Sequence, residues 1–183
     1  SISDQGQRST SLLLQAFEML LDIPHSRLPV TEVLDLLDVP ALRNAFDLAE
    51  EDMAILNQWI EGAGIRWGFH AEHRISEGFS ADFSDKTLTL NTWLFGLRRM
   101  LLGYASGATQ SWQDIEPYPE VGGLSAAAVG KLAHLLSELE QLWQRFQHAT
   151  DVPDWIARIY ALLQTFFVAD DDADQYILNR IGQ

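Results

Sequence analysis

Two short segments in the middle of the chain combine guanidinium and indole groups. Arg66 precedes Trp67, and Trp93 is followed closely by Arg98 and Arg99. Aromatic rings can stack on the bases of a single nucleic-acid strand while arginines meet its phosphates. Tryptophans at helical spacing are more often core residues, and the arginines could instead pair with acidic residues of the same chain. These five residues are therefore candidates for DNA contact, with core packing as the competing interpretation.

Two clusters of potential metal ligands lie elsewhere in the sequence. His70, Glu72 and His73 place two imidazoles beside a carboxylate, but zinc requires a further ligand at more regular spacing. The run Asp170–Asp174 is acidic but lacks the alternating ligands and central glycine of a calcium loop. Acids just before a helix ordinarily complement the helix dipole, and that structural role is the one predicted here.

No other pattern predicts catalysis or a cofactor. The stretch from Gly122 to Leu132 contains Gly130-Lys131 but has Ser125 and Leu132 where a phosphate-binding loop requires glycine and serine or threonine. The chain contains no cysteine, which excludes thiolate chemistry and thiolate zinc sites. The sequence therefore predicts no catalytic residue, no cofactor and no metal in this segment.

The net charge of −14 argues against a protein that grips DNA over its whole surface. Its distribution is uneven. Residues 1–63 carry eleven acids and three bases, residues 110–183 carry eleven acids and four bases, and residues 64–109 carry four acids and five bases. Any contact with a DNA strand is thus expected in the nearly neutral middle, and the segment alone is expected to bind single strands weakly or not at all.

The elements that must position these residues are helical. Apolar residues recur every three or four positions from Leu12 to Leu21, from Trp93 to Tyr104 and from about Leu124 to Gln147. Ser9 or Thr10 is the expected cap of the first helix, and Asn91 or Thr92 is the expected cap of the helix that begins near Trp93. Shorter segments are predicted at 32–37 and 40–46, in the stretch ending at Gly62-Ala63-Gly64, after Asp151 with Pro153, and after the acidic run at 170–174.

Irregular connections are expected at about 64–90 and 106–123, where glycine, proline, serine and aspartate are frequent. The brief alternation Thr87–Leu90 allows at most a short strand or hairpin near residues 86–91. No repeat or composition shift divides the chain, so one mainly all-α domain over residues 1–183 is predicted. No apolar run is long enough to span a bilayer, and no signal-peptide pattern is present.

Several blocks of residues, taken together and in chain order, are distinctive: Leu12–Phe17, Leu20–Pro24 with Ser26-Arg27, Glu32–Leu42, Trp59–Glu61, Gly64–Gly68, Asn91–Trp93, Phe95–Leu97, Arg99–Ala105, Trp112, Pro117-Tyr118, Glu120, Gly122–Leu124 and Val129-Gly130. These blocks resemble the gamma-subunit family of exodeoxyribonuclease V, the RecC family. The resemblance covers nearly the whole chain and fades only in residues 75–90 and at the extreme C-terminus.

The resemblance implies an internal segment of a larger polypeptide, with which a first residue of Ser1 is compatible. It implies a helical insertion subdomain of an inactivated superfamily-one helicase-like region. The expected function is a non-catalytic scaffold and DNA-channel segment of the RecBCD helicase–nuclease, in double-strand break repair by homologous recombination. The expected partners are the beta and alpha subunits, with DNA bound as part of the cytoplasmic complex and with ATP and Mg²⁺ used elsewhere in it.

Two other functions stay open on the residues alone. One is a free-standing acidic helical adaptor that binds only protein. The other is a metal-dependent hydrolase centred on His70, Glu72 and His73.

Overall fold

The computed structural model describes residues 2–79, 85–106, 115–119, 121 and 126–183, with side chains described except for 2–11 and 106. The structure is 71% helical, and no strand occurs in the described part of the chain. This confirms the predicted mainly all-α class. The helices are α1 (Ile2–Leu21), α2 (Val30–Leu37), α3 (Pro40–Ala45), α4 (Met53–Gly62), α5 (Ala71–Ser76), α6 (Trp93–Ser106), α7 (Ala126–Phe146), α8 (Val152–Phe166) and α9 (Asp172–Ile181), with 3-10 turns at Ile23–His25, Glu50–Asp52 and Lys86–Leu88.

The two last helices begin as their sequences predict. The Asp151 carboxylate accepts a hydrogen bond from the Asp154 backbone N–H at 2.9 Å, and Pro153 occupies the first turn of α8. The Asp171 carboxylate accepts from the Asp174 N–H at 2.8 Å at the start of α9. These side chains satisfy donors that the first helical turn leaves unpaired. The structural role predicted for the acidic run is therefore confirmed.

The chain forms two compact units. The first comprises Ser1–Ser26, Thr31–Glu50 and Ser137–Gln183, and the second comprises Arg27–Val30 and Glu51–Leu136. In the first unit α1 packs on α9 and α3 packs on α8. The rings of Phe46 and Phe166 lie 5.7 Å apart in its core. The sequence predicts a single domain, so the two units are expected to unfold together, and this stays a prediction.

The second unit is built around the extended segment Ile65–Phe69. On one side, the backbone N–H of Val30 donates to the Arg66 carbonyl at 3.0 Å, and that of Gly68 donates to the Arg27 carbonyl at 3.0 Å. The other side pairs with the start of α6, as described below. An isolated antiparallel bridge joins Pro29 to Trp67, but the pairing is too short to count as a sheet.

Three local expectations differ from the structure. The sequence allowed at most a short strand or hairpin near 86–91, and none is formed there: Lys86–Leu88 is a 3-10 turn, because the Asp85 carboxylate accepts from both the backbone N–H and the hydroxyl of Thr87 and so turns the chain. The connection at 64–90 contains the helix α5, whose six residues are too few to show a period. Helix α1 begins at Ile2 rather than after Ser9 or Thr10. Most of the connection at 106–123 lies outside the described residues.

No helix in the described ranges has both the length and the apolar composition needed to cross a membrane.

Candidate nucleic-acid interface

The extended segment Ile65–Phe69 fixes the start of helix α6. The backbone N–H groups of Trp93 and Leu94 donate to the carbonyls of Gly68 and Phe69 at 2.9 and 3.0 Å. The first N–H groups of a helix have no partner inside the helix, so these carbonyls supply what α6 lacks. Both groups of candidate arginine and tryptophan residues are thereby held on one framework.

Helix α6 is also capped by Thr92, one of the two caps that the sequence offers. The Thr92 hydroxyl accepts from the Phe95 N–H at 3.2 Å and donates to the Thr89 carbonyl at 2.8 Å. Asn91, just before the cap, has a positive φ of 62° and accepts from the Arg66 N–H at 2.9 Å. Asparagine tolerates this left-handed conformation better than most residues. The turn before α6 is therefore specified by residue type.

Trp93 is a core residue. Its side chain is 1% exposed, and its indole N–H donates to the Leu28 carbonyl at 3.1 Å. No face of this indole is accessible to a base. The core role that the sequence offered as the competing interpretation is the one that the structure assigns to Trp93.

Trp67 is half-buried and already stacked on an arginine of the same chain. The Arg74 guanidinium carbon lies 4.5 Å from the centre of the Trp67 ring, and the Phe79 ring meets the indole edge-on with centroids 5.5 Å apart. An arginine above an indole face is held by the ring quadrupole. The arginine–tryptophan pair expected for a strand of DNA is thus present, but both partners belong to the protein.

Arg74 is the most connected cation of the described residues and was not singled out by its sequence context. One guanidinium nitrogen donates to the carbonyls of Thr87, Leu88 and Leu90 at 3.1, 3.0 and 2.7 Å, and the other donates to the Trp67 carbonyl at 2.9 Å. The side chain is 4% exposed, and desolvation lowers the pKa of Arg74 below its ordinary value. Arginine nevertheless stays charged in proteins, so a buried cation braces this region.

Gly68 makes room for that cation. It has a positive φ of 80°, and a Cβ atom built on it would lie 3.0 Å from Cγ of Arg74. The Gly68 position therefore combines a backbone conformation that favours glycine with a close approach of a side chain. This glycine is the one local signal that a side chain packs against the segment, although it does not indicate which one.

Arg99 also supports the framework. Its Nε donates to the Glu116 carbonyl and its Nη1 to the Ala63 carbonyl, both at 2.9 Å. Its own carbonyl accepts from the Tyr118 N–H at 2.9 Å. Arg99 is half-buried and joins Glu116 and Tyr118 to the end of α4 and the middle of α6. Its guanidinium is committed to backbone carbonyls.

Arg66 and Arg98 differ from the other three candidates. Both are exposed, and neither side chain makes a hydrogen bond or ion pair with the part of the chain that the structure describes. Arg98 lies on α6 next to the committed Arg99, and Arg66 lies on the extended segment. Two exposed cations on a rigid framework can meet phosphates without rearrangement.

The cluster His70, Glu72 and His73 has a structural role. The His70 ring nitrogen Nδ1 accepts from the backbone N–H of His73 at 3.3 Å and caps α5; it also lies 2.9 Å from Oε2 of Glu72. Nδ1 of the fully buried His73 accepts from the Phe69 N–H at 3.2 Å. Within the described ranges, no group of three histidine, aspartate or glutamate side chains is placed to hold a metal ion.

The glycine–lysine pair considered for phosphate binding is helical. Gly130 and Lys131 lie within α7, where backbone N–H groups serve the helix, whereas residues 122–125 lie outside the described part of the chain.

Comparisons with known proteins agree with the sequence blocks. A family model described as the fourth domain of the RecBCD enzyme subunit RecC matches residues 10–183. The RecBCD enzyme subunit RecC of Escherichia coli is 39% identical over 176 residues, which cover 95% of this chain and 15% of that protein.

Two further relatives carry the same name. The protein from Haemophilus influenzae is 30% identical over 100% of this chain and 16% of its own length. That from Mycobacterium tuberculosis is 30% identical over 85% of this chain and 14% of its own length. The chain therefore spans about 15% of the length of the curated relatives it matches. With a family model that matches almost all of its residues, this chain belongs to the RecC family, in the part that forms the fourth domain of that subunit.

Proposed function

We propose that this chain is a non-catalytic scaffold and DNA-channel segment of the RecBCD (exodeoxyribonuclease V) helicase–nuclease, acting in double-strand break repair by homologous recombination. The match of residues 10–183 to the RecC fourth domain carries the proposal. The complex works in the cytoplasm, and within it the beta and alpha subunits are the partners of this chain. ATP, Mg²⁺ and the catalytic residues belong to other parts of the complex. Chain segments that hold subunits apart or together need rigidity rather than reactive groups.

The internal chemistry of the second unit supports a framework role. Arg74 and Arg99, which carry the charge that a catalytic or anion site could use, instead donate to backbone carbonyls. Trp93 is buried in the core. This arrangement ties the 87–90 turn and residue Glu116 to the rest of the second unit, and a channel wall requires such fixed contacts.

A deletion tests the scaffold role. RecBCD with intact RecC is compared with RecBCD that lacks this domain. The measurements are subunit assembly, DNA unwinding and the response to Chi, the DNA sequence that acts as a recombination hotspot. We expect loss of assembly or of coordinated unwinding. Unaltered assembly and activity would remove the scaffold proposal.

Contact with DNA is proposed for Arg66 and Arg98 only. The double variant Arg66→Glu, Arg98→Glu in full-length RecC should weaken binding of the assembled complex to a DNA end with single-stranded tails. Each phosphate contact contributes about 0.7 to the slope of log affinity against log salt for single strands, so losing two contacts should lower that slope by about 1.4.

The exposed Arg180, on α9 in the first unit, provides the matched control. Arg180→Glu changes the net charge as much as Arg98→Glu does, but it should leave the slope unchanged. An equal effect of the two single variants would show a general charge effect and refute a local DNA contact.

A further inference from the structure

Helix α8 carries one apolar stripe along its length, and only the second half of that stripe is covered. Leu162, Leu163 and Phe166 are buried. The first half of the stripe stays exposed, with exposed fractions of 71% for Val152, 42% for Trp155, 50% for Ile156 and 45% for Tyr160. Residues at this three- and four-residue spacing lie on one face of the helix. These four residues form what we call the α8 apolar surface.

The α8 apolar surface continues into a groove between α8 and α9. Tyr160 lines both, and the groove has a volume of about 390 Å³. Its other walls include Leu163, Phe167, Val168 and Leu178, together with three carboxamides. None of the lining residues is charged, although the chain carries a net charge of −14.

This composition is that of the centre of a protein interface. Such centres are rich in aromatic residues and poor in charge, whereas a surface that meets nucleic acid is basic. A contiguous apolar patch left in water is also an aggregation hazard. The surface and groove therefore fit a polypeptide partner with apolar contact residues.

We propose that the α8 apolar surface and its groove are covered by another segment of the same RecC polypeptide. The chain spans about 15% of the length of its relatives, so most of each polypeptide lies outside this domain. A segment tethered in the same chain reaches an effective concentration that a separate subunit does not have. It also shields the surface before any other subunit arrives. Family membership alone supports this occupant, so the DNA-channel function can fail without affecting it.

Thiol labelling tests the occupant, because the chain has no cysteine of its own. The variants Ile156→Cys and Ala157→Cys are made in the full-length RecC polypeptide that carries this chain. Ala157 is the matched control, since it is exposed and lies about 100° further round the same helix. Maleimide labelling of the peptide containing each position is followed by mass spectrometry, for RecC alone and for RecC with the other subunits.

In RecC alone, we expect the Ile156→Cys thiol to react at least about tenfold more slowly than the Ala157→Cys thiol, with no further change on assembly. Slowing that appears only after the other subunits are added would show that a partner covers the surface and would overturn the proposal. Slowing that depends on RecC concentration would show a second copy and would also overturn it, as would equal rates in every state.

Hydrogen exchange on unmodified RecC gives a second measurement that needs no folded variant. The backbone of residues 152–160 should be protected in RecC alone to the extent seen in the complex. Protection gained only on assembly would contradict the proposal.

Discussion

The brace formed by Arg74 makes a prediction about stability. In Arg74→Met the aliphatic stem is kept but every guanidinium donor is lost. The carbonyls of Thr87, Leu88, Leu90 and Trp67 then lose their partner, and the Trp67 ring loses its cation. Because these groups lie in two separate stretches of the chain, at residue 67 and at residues 87–90, no single neighbouring side chain can replace the fork of donors that the guanidinium supplies.

The magnitude follows from how many of those carbonyls water can reach. Thr87 and Leu90 are exposed, so water replaces the guanidinium there at little cost. Leu88 is buried and Trp67 half-buried, and a hydrogen bond from a charged donor contributes about 1.5–3 kcal/mol at such positions. The lost cation–π contact adds about 0.5–2 kcal/mol, whereas relief of the buried charge offsets part of the sum. We expect the free energy of unfolding to fall by about 3 kcal/mol, a large part of the 5–15 kcal/mol typical of a domain.

Urea unfolding followed by circular dichroism measures this loss, and hydrogen exchange locates it. The loss should be accompanied by faster exchange of the amides of Thr87 and Leu88, because their turn loses its anchor. Arg74→Lys should recover only part of the stability, since an ammonium keeps the charge but cannot fork between the turn and the Trp67 carbonyl. Arg98→Met is the matched control, because it removes an exposed arginine and should change stability by less than about 0.5 kcal/mol.

Two results would refute this reasoning. One is a loss below about 1 kcal/mol for Arg74→Met, which would show that the carbonyls find other partners. The other is an equal loss for Arg98→Met, which would show that removing any arginine from this acidic chain has the same effect.

Further changes test the packing and the cooperativity. Gly103→Ala should lower the free energy of unfolding by about 1–3 kcal/mol, because a Cβ there would lie 1.8 Å from the Tyr118 carbonyl oxygen. Gly130→Ala should instead raise the free energy of unfolding by about 0.5–1 kcal/mol, since beyond the backbone of its own helix no atom of the described residues lies within 4 Å of the Cβ position of this glycine. Equal shifts of the urea midpoint for the two variants would contradict the packing argument. Thr92→Ala should cost about 1 kcal/mol by removing the α6 cap, and Thr92→Ser should restore most of it in thermal denaturation. Equal melting temperatures for these two variants would count against the cap. If the chain is one domain, calorimetry should show one unfolding transition; two separated transitions would show that the two compact units unfold independently.

The helices with strong local signals could be predicted from the sequence. Asp151 and Pro153 mark the start of α8, and Thr92 marks the start of α6, because a short polar side chain at these positions can satisfy the free N–H groups of the first turn whatever the rest of the protein does. The six-residue α5 could not be predicted in the same way. Its cap is the imidazole of His70, which is not a usual capping residue, and one and a half turns show no period.

The candidate site also has features that the sequence could predict and features that it could not. The sequence identified the middle segment as the place where arginine and tryptophan side chains gather. It could not tell which of the five candidates would be free, because that depends on partners far along the chain. The indole N–H of the buried Trp93 donates a hydrogen bond to the Leu28 carbonyl, and the Arg99 guanidinium donates to the Ala63 and Glu116 carbonyls. Arg66 and Arg98 have no such partner among the residues that the structure describes, and these two arginines stay available.

By itself, the sequence determined the helical class, the family and the uneven charge, because these depend on composition, periodicity and ordered blocks of residues. The tertiary structure alone decided the use of each cation. It selected Arg74 as the brace because the fold brings three carbonyls of the 87–90 turn and the Trp67 ring around one guanidinium. It likewise left half of the α8 stripe exposed, since a helical period shows that a face is apolar but not what covers it.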